Sequence, residues 1–296
     1  MPENEDRYPA ESGRRRFVKG VVGASALGAT GISTALATNL TTTSSGAGGG
    51  AIQYYGIENT DGPAPRGLPQ IPVEIDDEGN LKGIWPEVKT ETVNNEEVQI
   101  AEMQLGGTTY SSEWFQYCGV QTYPGVRPDT DQSNFFRSAS SSSYDWQSDI
   151  ETGAQLTVSD FDDYETWGND IGESGIGKPA QATWRSQDLP PQETIPIQVL
   201  RSTRIEEMAK SASDPAVREW LQASTDQGFI AWLNKCTHFC CVPGFKETAE
   251  FGAANSVYCP CHQSVYDPFS IVQRQFTSLP RPEDTGSSES SSGGGE

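Results

Sequence analysis

Five of the chain's six cysteines and both of its histidines fall within 27 residues, from Cys236 to His262. They form two short runs, Cys236-Thr237-His238-Phe239-Cys240-Cys241 and Cys259-Pro260-Cys261-His262, with 17 residues between them. Each run offers a thiol and, two or three residues on, an imidazole. Thiolate and neutral imidazole are ligands for zinc and for iron-sulfur centres rather than for hard cations. With only two histidines in the chain, any site that needs three imidazoles is excluded, as is a second histidine-based centre. That removes many metallohydrolases and any enzyme that adds a 2-His-1-carboxylate iron to a cluster. A Cys2His2 zinc site stays open at this level, although zinc fingers use other spacings and need no second cysteine pair. A scaffold of disulfides alone leaves the ligand spacing of the two histidines without a reason.

The two runs resemble those of the Rieske iron-sulfur family, which read Cys-Thr-His-x-Gly-Cys and Cys-Pro-Cys-His-Gly-Ser. The likeness runs from Cys236 to Pro282 at most, with a weaker echo from Trp184-Arg185 onward. By position it implies a 2Fe-2S cluster with one iron on Cys236 and Cys259 and the other on His238 and His262. It also implies a Cys241–Cys261 disulfide tying the loops together. Replacing two thiolates by neutral imidazoles removes negative charge from the cluster and raises its potential, so the implied role is electron acceptance. The family places hydroxyl donors to a cluster sulfide and a cysteine sulfur where Ser264 and Tyr266 stand. The imidazole that meets quinol in the family corresponds to His262.

The Cys241 and Cys261 pair matches the disulfide-containing members, whereas Rieske oxygenases lack it. The resemblance therefore implies the iron-sulfur subunit of a quinol-oxidising cytochrome bc-type complex. Its partners would be a cytochrome b subunit, quinol, and an external cytochrome c or copper protein. The alternative is the small subunit of an exported molybdenum oxidoreductase, arsenite oxidase or nitrate reductase-linked. Cys240 and Gln263 depart from the family by standing where it has Gly. Leu279-Pro280-Arg281-Pro282 only approximates the Gly-Pro-Ala-Pro segment that covers the family's cluster. Cys118 and Cys240 are left over, and they pair only if the fold brings them together.

Upstream, Arg14-Arg15-Arg16-Phe17-Val18-Lys19 is followed by no charged residue until Glu58. This resembles a twin-arginine export signal with Arg14 and Arg15 as the pair. Residues 20–40 are expected to be a transmembrane helix, since 21 residues of helix span about 31 Å against a hydrocarbon core of about 30 Å. Gly20, Ala24 and Gly28 would give it a small-residue packing face. Ala35-Leu36-Ala37 offers a cleavage site instead, so retention and cleavage both stay open. The reading adopted is a single-pass anchor in the cell membrane, with residues 1–19 cytoplasmic and the body on the external face. Residues 41–51 are expected to be a flexible hinge, 52–282 a head with its cluster-binding unit at 229–282, and 283–296 a disordered tail.

The chain carries 41 Asp+Glu against 20 Lys+Arg, for a net charge of −21. Only seven of the basic residues are lysines. Such a body is suited to high salt, where screening removes its self-repulsion, and it points to a halophilic, haloarchaeal source. It excludes nucleic acid as a partner. Short strand-like runs (Pro72–Ile75, Val98–Ala101, Ala154–Val158) separated by Gly, Pro, Asp and Asn clusters predict a mainly antiparallel β architecture. Ile195–Leu200 reads as a further strand, Thr203 with Glu206 as a capping box, and Asp214-Pro215 as a helix start. Gly228–Asn234 and Ser256–Tyr258 read as strands delivering the chain to the two cysteine runs. The expected whole is a helix-anchored β protein, a Rieske-type head with an inserted cluster-binding unit on a long base.

Overall fold

The computed structural model describes residues 51–93, 96–118, 120 and 133–277. The expected export signal, membrane helix, nearly all of the hinge, the Leu279–Pro282 segment and the tail lie outside the described residues. Among the described residues no helix is long and apolar enough to cross a membrane.

From Ala51 onward the protein is mainly β, and every ladder among the described strands is antiparallel. In chain order the strands begin with β1 (Ala51–Asp61), β2 (Leu68–Ile71), β3 (Val73–Ile75), β4 (Leu81–Gly83), β5 (Val88–Val93), β6 (Glu96–Leu105) and β7 (Thr108–Ser111). They continue with β8 (Phe136–Ser138), β9 (Lys178–Trp184), β10 (Ile195–Arg201), β11 (Phe229–Leu233), β12 (Gly244–Phe245), β13 (Val257–Cys259) and β14 (Ser264–Thr277). Nine of them make one sheet in the order β12-β13-β14-β1-β2-β11-β10-β9-β8. A hairpin pair, β3-β4, and a three-stranded sheet, β5-β6-β7, complete the set.

Two helices fill the connection from β10 to β11. The first, α1 (Thr203–Ser211), is capped by the Ser202 side chain, which accepts the Arg204 N–H. The cap therefore falls one residue before the expected Thr203, because Ser202 already has extended backbone and an oxygen in reach. The second, α2 (Pro215–Ser224), starts as expected on Asp214, with Pro at the first helical position. Its buried Trp220 donates to Gln70 on β2 at 2.8 Å, and Gln70 donates to Ser224 at 2.9 Å. These two bonds satisfy polar groups that the apolar helix face would otherwise strand in the core.

The core is aromatic. Trp114, Trp184, Trp220, Trp232, Tyr54, Tyr110, Phe115 and Phe136 are all essentially inaccessible. Phe135, next to the buried Phe136, is only part-buried. Ala154–Val158 is not a strand. It lies between β8 and the start of β4 and bonds to both, Leu156 N–H to the Phe136 carbonyl at 2.8 Å and Leu81 N–H to the Leu156 carbonyl at 2.9 Å, but each contact is a single bridge, Gln155 to Arg137 and Thr157 to Asn80, rather than a ladder.

Edge strand β12 has no ladder partner on its outer side, and the long excursion between β8 and β9 covers it. The Tyr144 hydroxyl donates to the Phe245 carbonyl at 2.9 Å and accepts the Phe245 N–H at 3.0 Å. Asn169 donates to the Lys246 carbonyl at 2.9 Å. Pairing an edge in this way blunts its tendency to recruit another chain.

Candidate metal centre

Three connections converge at one end of the large sheet. The first follows β11 and carries Cys236 to Cys241. The second joins β13 to β14 and carries Pro260 to Gln263. The third joins β1 to β2 and reads Gly62-Pro63-Ala64-Pro65-Arg66-Gly67. A Cys241–Cys261 disulfide links the first two, with Cα atoms 6.5 Å apart. The third is tied to both: Ala64 donates its N–H to the Ser264 hydroxyl at 3.1 Å, and Thr237 donates to the Arg66 carbonyl at 2.6 Å. Gly62 has a positive φ of 83°, and a Cβ there would meet the Gln263 carbonyl at 2.6 Å, so only glycine allows the approach.

The two cysteine loops repeat one local design. Cys236 and Cys259 are the free cysteines, and both are buried. The Cys236 sulfur receives the backbone N–H groups of His238 and Phe239, and the Cys259 sulfur those of Cys261 and His262. Such paired amides form an anion nest that favours thiolate. The turns are closed by Cys240 N–H to the Cys236 carbonyl and Gln263 N–H to the Cys259 carbonyl, each at 2.9 Å. The Tyr266 hydroxyl donates to the Cys236 sulfur at 3.1 Å.

The thiols also meet each other. A hydrogen bond from Cys259 pulls Cys236 down to about 5 against the opposing effect of burial, with the Tyr266 hydroxyl and the amides adding to the pull. The same bond, with burial, pushes Cys259 up. One proton is thus held between two sulfurs that a cation would replace. Burial, followed by donation to Cys236, pushes the Tyr266 phenol up, so its hydroxyl stays protonated and able to donate.

The imidazoles lie side by side, His238 and His262 having ring centroids 4.7 Å apart at 80°. His238 is part-buried, and its Nδ1 is buried with no hydrogen-bond partner. A buried, unpartnered imidazole nitrogen is costly unless it binds something. His262 is exposed, and the Phe239 ring between loop tip and solvent packs on both imidazoles, 4.3 Å from His238 and 5.2 Å from His262. Phe239 is itself 66% exposed.

Ser264 is fully buried, and its oxygen accepts the Ala64 N–H, which leaves its own hydrogen to donate elsewhere. The sulfurs of Cys241, Cys259 and Cys261 lie within 4.8 Å of one another, but two of them are bonded together and only Cys259 retains a thiol. The residues therefore fit a soft metal centre on Cys236, Cys259 and the two histidines.

The pairing of the two left-over cysteines, which the sequence left open, is made. Cys118 and Cys240 are joined, Cα to Cα 5.6 Å, across 122 residues of chain. A Gly-Pro-Ala-Pro sequence not singled out from the chain alone occurs at Gly62–Pro65, ahead of the cysteine loops and in the connection bonded to both of them. Its tetrapeptide was the available signal. No protein-family model, curated protein or solved structure matches the chain.

Proposed function

We propose that the chain is an electron-transfer protein holding a Rieske-type 2Fe-2S cluster on Cys236, Cys259, His238 and His262. The observation that carries this reading is the matched pair of loops. Each presents a buried thiol in a two-amide nest, with an imidazole following it, and the His238 Nδ1 is buried without a partner. When bound, such a cluster supplies a one-electron acceptor of raised potential.

The chain's own residues have distinct tasks in this reading. Tyr266 and Ser264 donate to sulfur and favour the more negative, reduced state. The Gly62–Pro65 loop keeps water off the thiolates. His262, exposed beside Phe239, holds the proton that quinol gives up, on the ring nitrogen not used for ligation. The partner is then a cytochrome b subunit that presents quinol, with a cytochrome c or copper protein as the external acceptor. A membrane anchor at 20–40 would keep the head at the cell surface, where two disulfides fit an oxidising compartment.

The test is electron paramagnetic resonance on the ascorbate-reduced full-length protein, with iron, acid-labile sulfide and zinc measured on the same sample. A rhombic signal with equal iron and sulfide is expected. Zinc without iron would overturn the cluster. Copurification with a molybdenum subunit instead of a cytochrome b would reassign the parent complex and leave the cluster in place.

A further inference from the structure

We propose that Arg66 is a fixed, unneutralised charge that raises the redox potential of the centre without ligating it, an inference that rests on the function proposed above. Arg66 follows the Gly62–Pro65 loop, and its carbonyl accepts the Thr237 hydroxyl next to Cys236. Its guanidinium carbon lies 3.7 Å from the Phe276 ring centre, 4.8 Å from Tyr117 and 5.5 Å from Tyr54. Three aromatic faces thus surround one cation. Tyr117 is in turn fastened to the first cysteine loop, donating to the Lys235 carbonyl at 2.8 Å.

Arg66 faces three aromatic rings where Arg204 and Arg274 face carboxylates. The chain has 41 acidic residues, and Arg204 and Arg274 sit on Glu173 and Glu58 at 3.1 and 2.7 Å. Among the described residues no carboxylate lies within ion-pairing distance of Arg66, and its Nη1 is buried with no hydrogen-bond partner. The guanidinium supplies a fixed positive charge. The aromatic cage holds it there in place of an acid, and its field is not cancelled locally.

The Tyr117 phenol lies within electrostatic reach of both the Arg66 guanidinium and the Cys236 sulfur, and a positive charge at that range favours whichever state of the centre carries the extra electron. Reduction adds one negative charge, so Arg66 shifts the equilibrium toward the reduced form. Because the side chain is part-buried, with Nη1 out of contact with solvent, dissolved ions screen its charge less than they screen exposed carboxylates. The effect therefore survives at high salt, where surface charges lose most of theirs.

The experiment is a midpoint titration of full-length wild type, Arg66→Gln and Arg66→Lys, followed by the cluster's resonance signal at low and at molar salt. Arg66→Gln should disfavour reduction about three- to tenfold, a tenfold change being about 59 mV for one electron. Arg66→Lys should stay near wild type, and the gap should hold in molar salt. An unmoved midpoint in Arg66→Gln overturns the proposal. So does an equal fall in Arg66→Lys, which would trace the effect to packing. If Arg66→Gln fails to retain its centre, Arg66→Met keeps the apolar stem on the three rings and carries the same expectation. A wild type with no cluster at all would instead overturn the proposed function.

Discussion

Cys240 and Gln263 occupy the same place in the two cysteine loops, with φ of 62° and 63°, each closing its turn onto the carbonyl four residues back. These are the positions at which the resemblance calls for Gly, and the reason is visible: both backbones are left-handed, which costs a residue with a Cβ about 1–2 kcal/mol. Cys240 is held in that conformation by its disulfide to Cys118, whereas Gln263 is exposed and has no such tie.

Gln263→Gly should accordingly stabilise the protein by about 1 kcal/mol, after allowing for the greater freedom of glycine in the unfolded chain. Denaturant unfolding in molar salt measures this. A less stable variant would mean that the Gln263 side chain makes a contact worth more than the strain.

Tyr266 and Ser264 should separate in their effects. Tyr266→Phe removes one donor to the Cys236 sulfur and leaves the packing intact, so the midpoint should fall with little change in stability. Ser264→Ala should lower the midpoint and also leave the Ala64 N–H buried without its acceptor, at a cost of about 1–3 kcal/mol. Equal midpoints in wild type and both variants would remove hydroxyl tuning from the account.

The thiols and imidazoles proposed as ligands can be picked out in the chain because their spacing is local. Two or three residues separate thiol from imidazole in each loop, and turn chemistry does the rest. The strands delivering them, β11 and β13, were legible from short apolar runs bounded by polar turns. Three features depended on tertiary structure. Cys118 finds Cys240 only because the segment after β7 folds against the first loop, where Tyr117 reaches the Lys235 carbonyl. The Gly62–Pro65 loop meets the two cysteine loops because β1 pairs with β14, Ala51 opposite Thr277 and Asp61 opposite Val265. Thr237 to Arg66 is 171 residues, a separation that no local pattern reports. Ala154–Val158 has strand composition and does find neighbours in β8 and the start of β4, but the pairing on each side stops at one bridge, a length that composition does not report.

The Cys118–Cys240 bond closes the longer of the two disulfide loops, with a sequence separation of 122 against 20. In the chain-entropy picture such a loop contributes up to about 4.7 kcal/mol, and the shorter one about 3 kcal/mol. The double variant Cys118→Ser, Cys240→Ser should unfold at markedly lower denaturant concentration. The spectrum of the proposed centre should persist, because neither residue is among its proposed ligands. Unfolding at the wild-type midpoint would show that the bond adds nothing beyond the contacts already joining these segments.

Glu247 provides a pH dependence whose sign is set by its surroundings. It follows Lys246 at the covered edge strand, and its carboxylate accepts from Ser143 at 2.7 Å and from Gln181 at 3.3 Å. Burial raises its pKa above the ordinary 4.5, and those two donors only partly offset it. Between 4.5 and the raised value the folded protein keeps a proton that the unfolded chain has released, so stability falls as pH rises through that window. The stabilising contribution is complete below the window and lost above it. Glu247→Gln keeps an acceptor for Ser143 and Gln181 but cannot ionise, so it should match wild type at the acid end and exceed it at neutral pH. Denaturant midpoints of both proteins across pH 4 to 8, at constant salt, give the difference directly. A difference that stays constant over that range would show that Glu247 keeps its unfolded-state affinity for the proton, and the cost of its burial would have to be met elsewhere.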